Sequence, residues 1–201
     1  KGQIMKQLRQ YIRRIIIESM SGKYEELDGI ISPPPSKEQL ISELEKVQFQ
    51  IDNPYNPDQL QEDLDKDYQS LFVDLLSLHG IIEDRENLVE ITKGALPIIK
   101  KLKAHYNKKR PQDLADQIDF DLKSDQTTME SAQSKSYPSG HACQAYLVAL
   151  ILTEKYPHLR EPLLHLAECV AQSRVDRGVH FPSDLSGGIQ LAQHLFQNRP
   201  L

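Results

Sequence analysis

Apolar positions recur three and four residues apart along almost the whole chain, and strict apolar/polar alternation is nearly absent, so the pattern predicts an all-α protein. A short amphipathic helix is predicted over Lys6 to Met20. The following stretch, Gly22 to Ser36, carries Pro33-Pro34-Pro35 and reads as an extended linker, because proline lacks the N–H and clashes inside a helix. Ser36 with Gln39 three residues on has the form of a capping box and opens a helix to about Gln50. Asn53-Pro54-Tyr55-Asn56-Pro57 interrupts the chain. From Asp58 one helix is predicted, with Leu60, Leu64, Tyr68, Leu71, Leu75 and Leu78 on a single face and Gly80 at its end. Asp84 caps the next helix, predicted to run towards Lys109 with a kink at Pro97 and a stop at Pro111. Residues 112–137 are polar and without period, which predicts a substrate-facing loop. Beyond Pro138 three helices are expected: Ser139 to Tyr156, Pro162 to Val175, and Pro182 to about Gln197, with Pro162 suited to a first turn.

Composition narrows this picture. The chain has 201 residues, 39% hydrophobic and 26% charged, which suits one globular domain with its own core. A formal net charge of -5 gives the chain as a whole no attraction for nucleic acid, so any anion site must be a local cluster. The longest apolar run, Ala145 to Leu152, is far short of the ~20 residues that span a bilayer, and the expectation is no nucleic-acid partner and no membrane span. Cys143 and Cys169 each sit in a helical apolar pattern and read as two buried thiols. No export signal is visible. With residues 1–4 read as a remnant ahead of a native Met5, the leaning is cytoplasmic; periplasmic or secreted is the alternative if Lys1 follows a processed site.

Three short blocks carry the chemistry. The first is Lys103, six residues, then Arg110-Pro111. On one helix that spacing is two turns of about 3.6 residues, so both cations would project from nearly the same face and share one anion. Taken alone, Lys100, Lys101, Lys103, Lys108, Lys109 and Arg110 also read as a solvated basic helix end. In the second block, Pro138-Ser139-Gly140-His141, Ser139 is placed to cap a helix whose first amides face an anion, and Gly140 lets an oxygen approach the backbone. In the third, Ser173-Arg174, five residues, His180, three residues and Asp184, the last pair is four apart. At the start of a helix the carboxylate would hold the proton on one ring nitrogen and leave the other nitrogen's lone pair free. Each block taken alone has an ordinary structural explanation; together and in order they do not.

These blocks match residue for residue the three-part signature of the phosphatidic acid phosphatase type 2 and vanadium haloperoxidase superfamily. The third, SRVDRGVHFPSD, and the proline-rich segment are most similar to the soluble bacterial class A, non-specific acid phosphatases. The resemblance implies a compact helical bundle and a single phosphatase domain over residues 1–201, with an N-terminal helix and proline-rich linker over 1–35 and catalytic core helices over 84–198. It implies a metal-independent phosphomonoester hydrolase acting on a small phosphorylated substrate. His180 would be the nucleophile of a phosphohistidine intermediate, Asp184 its orienting group, and His141 the acid that protonates the leaving group and then activates water. Lys103, Arg110, Arg174, Ser139 and Gly140 would bind phosphate; no metal or cofactor is expected, and vanadate or phosphate should occupy the site. Homodimerisation enters only as a habit of the resembled family.

Two other functions share that pocket: a vanadate-dependent haloperoxidase, disfavoured by the short chain, and a non-catalytic phosphate-binding protein, disfavoured by the complete catalytic set. His79, His105, His158, His165 and His194 show no metal-ligand spacing and are assigned to helix surfaces or core. Tyr137 is read as packing beside a turn.

Overall fold

The computed structural model of the protein describes residue 27 and residues 29–198. The helix expected over Lys6 to Met20 lies outside the described residues. The described part of the linker is a turn at Gly29–Ile30 followed by irregular backbone through the prolines. The helices are α1 Lys37–Asp52, α2 Gln61–Lys66, α3 Tyr68–Leu78, α4 Arg85–Tyr106, α5 Pro111–Ala115, α6 Gly140–Lys155, α7 Arg160–Asp176 and α8 Pro182–Gln197. Short 3₁₀ turns stand at Asp58–Leu60, Glu130–Ala132 and Pro157–Leu159, and the described residues contain no β-strand.

Helix α6 is apolar nearly all round, which suits a central element, and α4, α7 and α8 pack around it. Leu102 of α4, Leu147 and Val148 of α6, Leu163 and Val170 of α7, and Leu191 and Leu195 of α8 are all fully buried in this core. The approach of α8 to the start of α6 depends on glycine. A Cβ at Gly188 would lie 2.5 Å from the Ser139 carbonyl oxygen and 2.9 Å from the Ala142 Cβ. That closeness lets the Ser139 N–H donate to the Asp184 carbonyl at 2.9 Å, tying the second sequence block to the third.

Helix α1 begins as its sequence dictates. The Ser36 hydroxyl accepts from the Gln39 N–H, and the Gln39 side chain accepts from the Ser36 N–H at 2.9 Å. The Pro-Tyr-Asn-Pro break after α1 is fastened to the end of α7 by Asp176. This carboxylate accepts from the N–H groups of Tyr55 and Asn56 and from the side chains of Gln50, Asn56 and Gln61. Five neutral donors thus satisfy one buried anion, and they hold α2 against the C-terminal end of α7.

Several expectations are corrected. The single helix from Asp58 is two, broken at Asp67 (φ -148), whose carboxylate accepts from Arg85 at 2.7 Å and Ser70 at 2.7 Å instead of leaving the backbone to continue. The buried stripe is Leu64, Tyr68, Phe72 and Leu76, whereas Leu78 is 83% exposed and Leu60 41%. Helix α4 passes through Pro97 and ends at Tyr106, short of Lys109, because Asn107 turns left-handed (φ 47). Residues 112–137 are partly built in: they contain most of α5 and a 3₁₀ turn, and bury Leu114, Leu122, Met129 and Ala132. Both cysteines are free thiols, Cys143 buried but Cys169 only partly so.

Candidate active site

The third block is shaped by a glycine and a proline. Arg174 lies in the last turn of α7, and the chain reverses through Gly178 at φ +64, where an added Cβ would meet Ile51 and Ser124 at 2.8 Å. The reversal brings the His180 N–H back to the Arg174 carbonyl at 3.1 Å. Pro182 then opens α8 and puts Asp184 in its first turn, where Oδ2 accepts both the Phe181 N–H at 2.9 Å and His180 Nδ1 at 3.0 Å. The helix start therefore fixes the carboxylate that fixes the imidazole. With Nδ1–H held by Asp184, Nε2 carries the lone pair; it lies 3.4 Å from Arg110 Nη1. Burial and the positive Arg110 push the His180 pKa well below the ordinary histidine value, against the opposing pull of Asp184.

The two cations of the first block reach this place by different routes. The two-turns-on-one-helix reasoning is corrected: Lys103 is on α4, whereas Arg110 follows the Asn107 reversal and stands at the N-cap of α5. Arg110 is 2% exposed and donates to the carbonyls of Ser134 (2.6 Å), Val179 (2.5 Å) and Ser131 (3.3 Å). Lys103 donates to the Ser134 hydroxyl at 3.2 Å and to the Lys135 carbonyl. Burial and the neighbouring Arg110 bring the Lys103 ammonium down to about 7. Burial likewise lowers Arg110 and Arg174 to about 10, so both remain cations at neutral pH.

Lys103, Arg110, Gly140, His141 and His180 line one cavity of about 760 Å³, with Leu96 and Ile99 forming an apolar wall. Asp184 stands behind His180, fully buried. Two expected anion ligands are placed differently. The Ser139 hydroxyl faces inward and accepts the Ala142 N–H at 3.4 Å, capping α6. Arg174 directs Nη1 to Asp65 at 2.7 Å and Nη2 to the Ser131 hydroxyl at 2.9 Å, and its buried Nε has no partner.

Asp65 was not among the sequence candidates, and it joins Arg174 to His141. His141 Nε2 lies 3.0 Å from the Asp65 carbonyl oxygen and 3.3 Å from its Oδ1. Since a carbonyl only accepts, Nε2 carries hydrogen and Nδ1 is left to gain or lose a proton. Burial would raise the Asp65 pKa, but the His141 hydrogen bond and the Arg174 charge outweigh it and hold the carboxyl well below its usual range. Burial and Arg174 lower the His141 pKa, and Asp65 opposes them. On the Asp65 side, His141 and Ser131 also border a second recess of about 680 Å³ with Glu130 and Arg177.

Lys108 is the second residue the sequence reading missed. Far from being solvated, its ammonium donates to Asp184 Oδ1 at 2.5 Å and the Ser183 hydroxyl at 3.1 Å, and lies 4.5 Å from the centroid of the Phe181 ring. Tyr137 packs edge-on against Tyr106 and donates to the Ser32 carbonyl. Among the described residues no group of three or more His, Cys, Asp or Glu could hold a metal ion.

The family pattern of the PAP2 superfamily matches residues 88–196. Over 98 residues the chain is 31% identical to a non-specific acid phosphatase of Salmonella typhimurium, an alignment that takes in 49% of this chain and 38% of that protein. The chain thus spans well under half the length of this relative. Among solved structures it is similar, at TM-score 0.48 and 18% identity, to the first transmembrane PAP2 type phosphatidylglycerolphosphate phosphatase of Bacillus subtilis, covering 96% of this chain and 92% of that one. That neighbour is described as transmembrane, which is at odds with the expectation of no membrane span for this chain. What stands is narrower: no helix among the described residues is long and apolar enough to cross a membrane. The matched segment covers more than half of the chain and contains all three blocks of site residues, and the protein belongs to the PAP2 superfamily.

Proposed function

We propose that this chain is a phosphatase that hydrolyses phosphomonoesters through a phosphohistidine on His180 and without a metal ion. The observation that carries the proposal is the convergence of His180, oriented by Asp184, with His141, Lys103 and Arg110 on one cavity. His180 Nε2 attacks phosphorus as the bond to the leaving oxygen breaks, and His141 passes its Nδ1 proton to that oxygen. Neutral His141 then takes a proton from water, whose oxygen attacks phosphorus. The N–P bond breaks, phosphate leaves, and both histidines return to their starting protonation states. Lys103, Arg110 and the amides at the start of α6 offset charge on the transferring group, the work a metal does elsewhere. The unpartnered Nε of buried Arg174 is a further donor, whose isolation costs about 1–3 kcal/mol unless an acceptor arrives.

The proton positions set the pH range. His180 must be neutral, and its pKa is pushed well below the ordinary value of 6.5; His141 must be protonated, and its pKa is also lowered from 6.5. Activity therefore rises as His180 loses its proton and falls as His141 loses its own, giving an acid optimum. The test is hydrolysis of a chromogenic phosphomonoester by wild type and His180→Ala, with alkaline quenching to trap labelled phosphohistidine. Loss of turnover and label in the variant, and turnover undiminished by EDTA, are expected; equal rates in the two proteins refute the nucleophile.

A further inference from the structure

We infer that Lys108 is a positioning residue that acts through Asp184 to keep His180 free of its proton under acidic conditions. The inference rests on the reading of His180 as nucleophile. Lys108 borders none of the cavities described above, so it acts on the anion only through another group. Its side chain is 4% exposed, and its ammonium lies against the rings of Phe181 and Tyr137 and donates to Asp184 and Ser183. The two oxygens of Asp184 are divided: Oδ2 faces His180 and Oδ1 faces Lys108.

An isolated carboxylate beside a buried imidazole stabilises the imidazolium and would hold a proton on Nε2, where the attacking lone pair is needed. A fixed cation on the far oxygen cancels much of that pull while leaving the carboxylate to orient Nδ1–H. Other charged groups converge on the same imidazole: Lys103 from α4, Arg110 from the start of α5, and His141 from α6 across the cavity. Glu43 of α1 reaches Lys108 only through the Ser183 hydroxyl, which donates to it at 2.8 Å. Among the described lysines and arginines, Lys108 alone is bonded to Asp184, so its removal changes the basicity of His180 without touching an anion-binding side chain.

The experiment follows His180 by ¹⁵N-histidine NMR without substrate in wild type, Lys108→Met and Lys108→Arg, with the resonance assigned by its absence from His180→Ala. In Lys108→Met the His180 titration should move upward by about one to two pH units, an elementary charge having been removed two hydrogen bonds away. The acidic limb of kcat/KM should move with it, the basic limb should stay, and Lys108→Arg should lie close to wild type. An unmoved titration in folded Lys108→Met overturns the inference, as does a kcat/KM profile lowered uniformly without displacement of its acidic limb. The titration needs no turnover, so a His180 shift in a chain that fails to hydrolyse phosphoesters would refute the proposed activity and leave the electrostatic role of Lys108 standing.

Discussion

Replacing Asp65 by Asn should move the basic limb of the pH profile and leave the acidic limb in place. The substitution keeps the backbone carbonyl that accepts from His141 Nε2 at 3.0 Å and an oxygen for the 2.7 Å bond from Arg174, but removes the negative charge 3.3 Å from the imidazole. Unit charges about 4 Å apart at an effective dielectric of about 20 interact by about 4 kcal/mol, the equivalent of roughly three pH units. The His141 side chain is 17% exposed and the carbonyl bond survives, so a displacement of about one to two units is expected. The sign follows from the loss of a group that favours imidazolium: His141 gives up its proton at lower pH, and the fall in kcat/KM begins earlier. Arg174 loses its counter-charge in a fully buried position, which should also lower stability by about 1–3 kcal/mol. The assays are kcat/KM against pH on a chromogenic phosphomonoester and urea unfolding. A basic limb that stays put, or moves upward, refutes the assignment of His141 as the acid held by Asp65.

Two further predictions concern stability. Gly188→Ala places a methyl 2.5 Å from the Ser139 carbonyl, a backbone atom that cannot swing aside, and should destabilise the protein by about 1–3 kcal/mol despite alanine's better helix propensity. A unchanged or raised urea midpoint would show that the α6–α8 contact is slack. Asp65 and Asp184 both have carboxyls held well below the ordinary value of 3.8, so their contribution is fully present above that value and is lost as pH falls through their folded pKa values. Stability measured by urea unfolding should decline steeply on acidification below about pH 4, and Asp184→Asn should flatten the slope; an unchanged slope would mean that Asp184 is not ionised in the folded protein.

Local signals were legible where one short segment decides the outcome. Ser36 and Gln39 announce the start of α1, Pro182 with Asp184 announces α8, and Gly178 is the one residue type that turns between Arg174 and His180 without strain. The end of α4 was not legible, because the helical pattern runs on past Tyr106 and the visible breaker is Pro111; the stop is a single left-handed Asn107. That reversal detaches Lys108 from a surface helix and delivers it to Asp184, a partner 76 positions away. Asp65 was hidden for the same reason. It sits in a run of acidic residues that reads as favouring a helix start, and its importance comes from the Asp176 clamp that presses α2 onto α7. The motifs record the groups proposed to meet the anion, whereas the groups that set their charge are assembled by tertiary contacts with no fixed spacing.

In the proposed mechanism the two histidines need opposite protonation states at one pH, and their surroundings separate them along a few physical axes. Each has a carboxylate, and each carboxylate has a cation, Lys108 on Asp184 and Arg174 on Asp65. The separation therefore cannot come from the carboxylates alone. His180 is 2% exposed and faces Arg110 and Lys103 directly, so desolvation and two cations all disfavour its charged form. The His141 side chain is 17% exposed, and Asp65 offers its Nε2–H two oxygens, the backbone carbonyl and the carboxylate. There the two acceptors oppose the burial and the Arg174 charge that lower the His141 pKa, so it is lowered less than that of His180. The environments thus push the two rings apart in the order that a neutral nucleophile and a protonated acid require. On this mechanism the separation should narrow from the acid side if Lys108 is neutralised and from the basic side if Asp65 is, which would place control of the profile's width in two residues that lie outside the motifs.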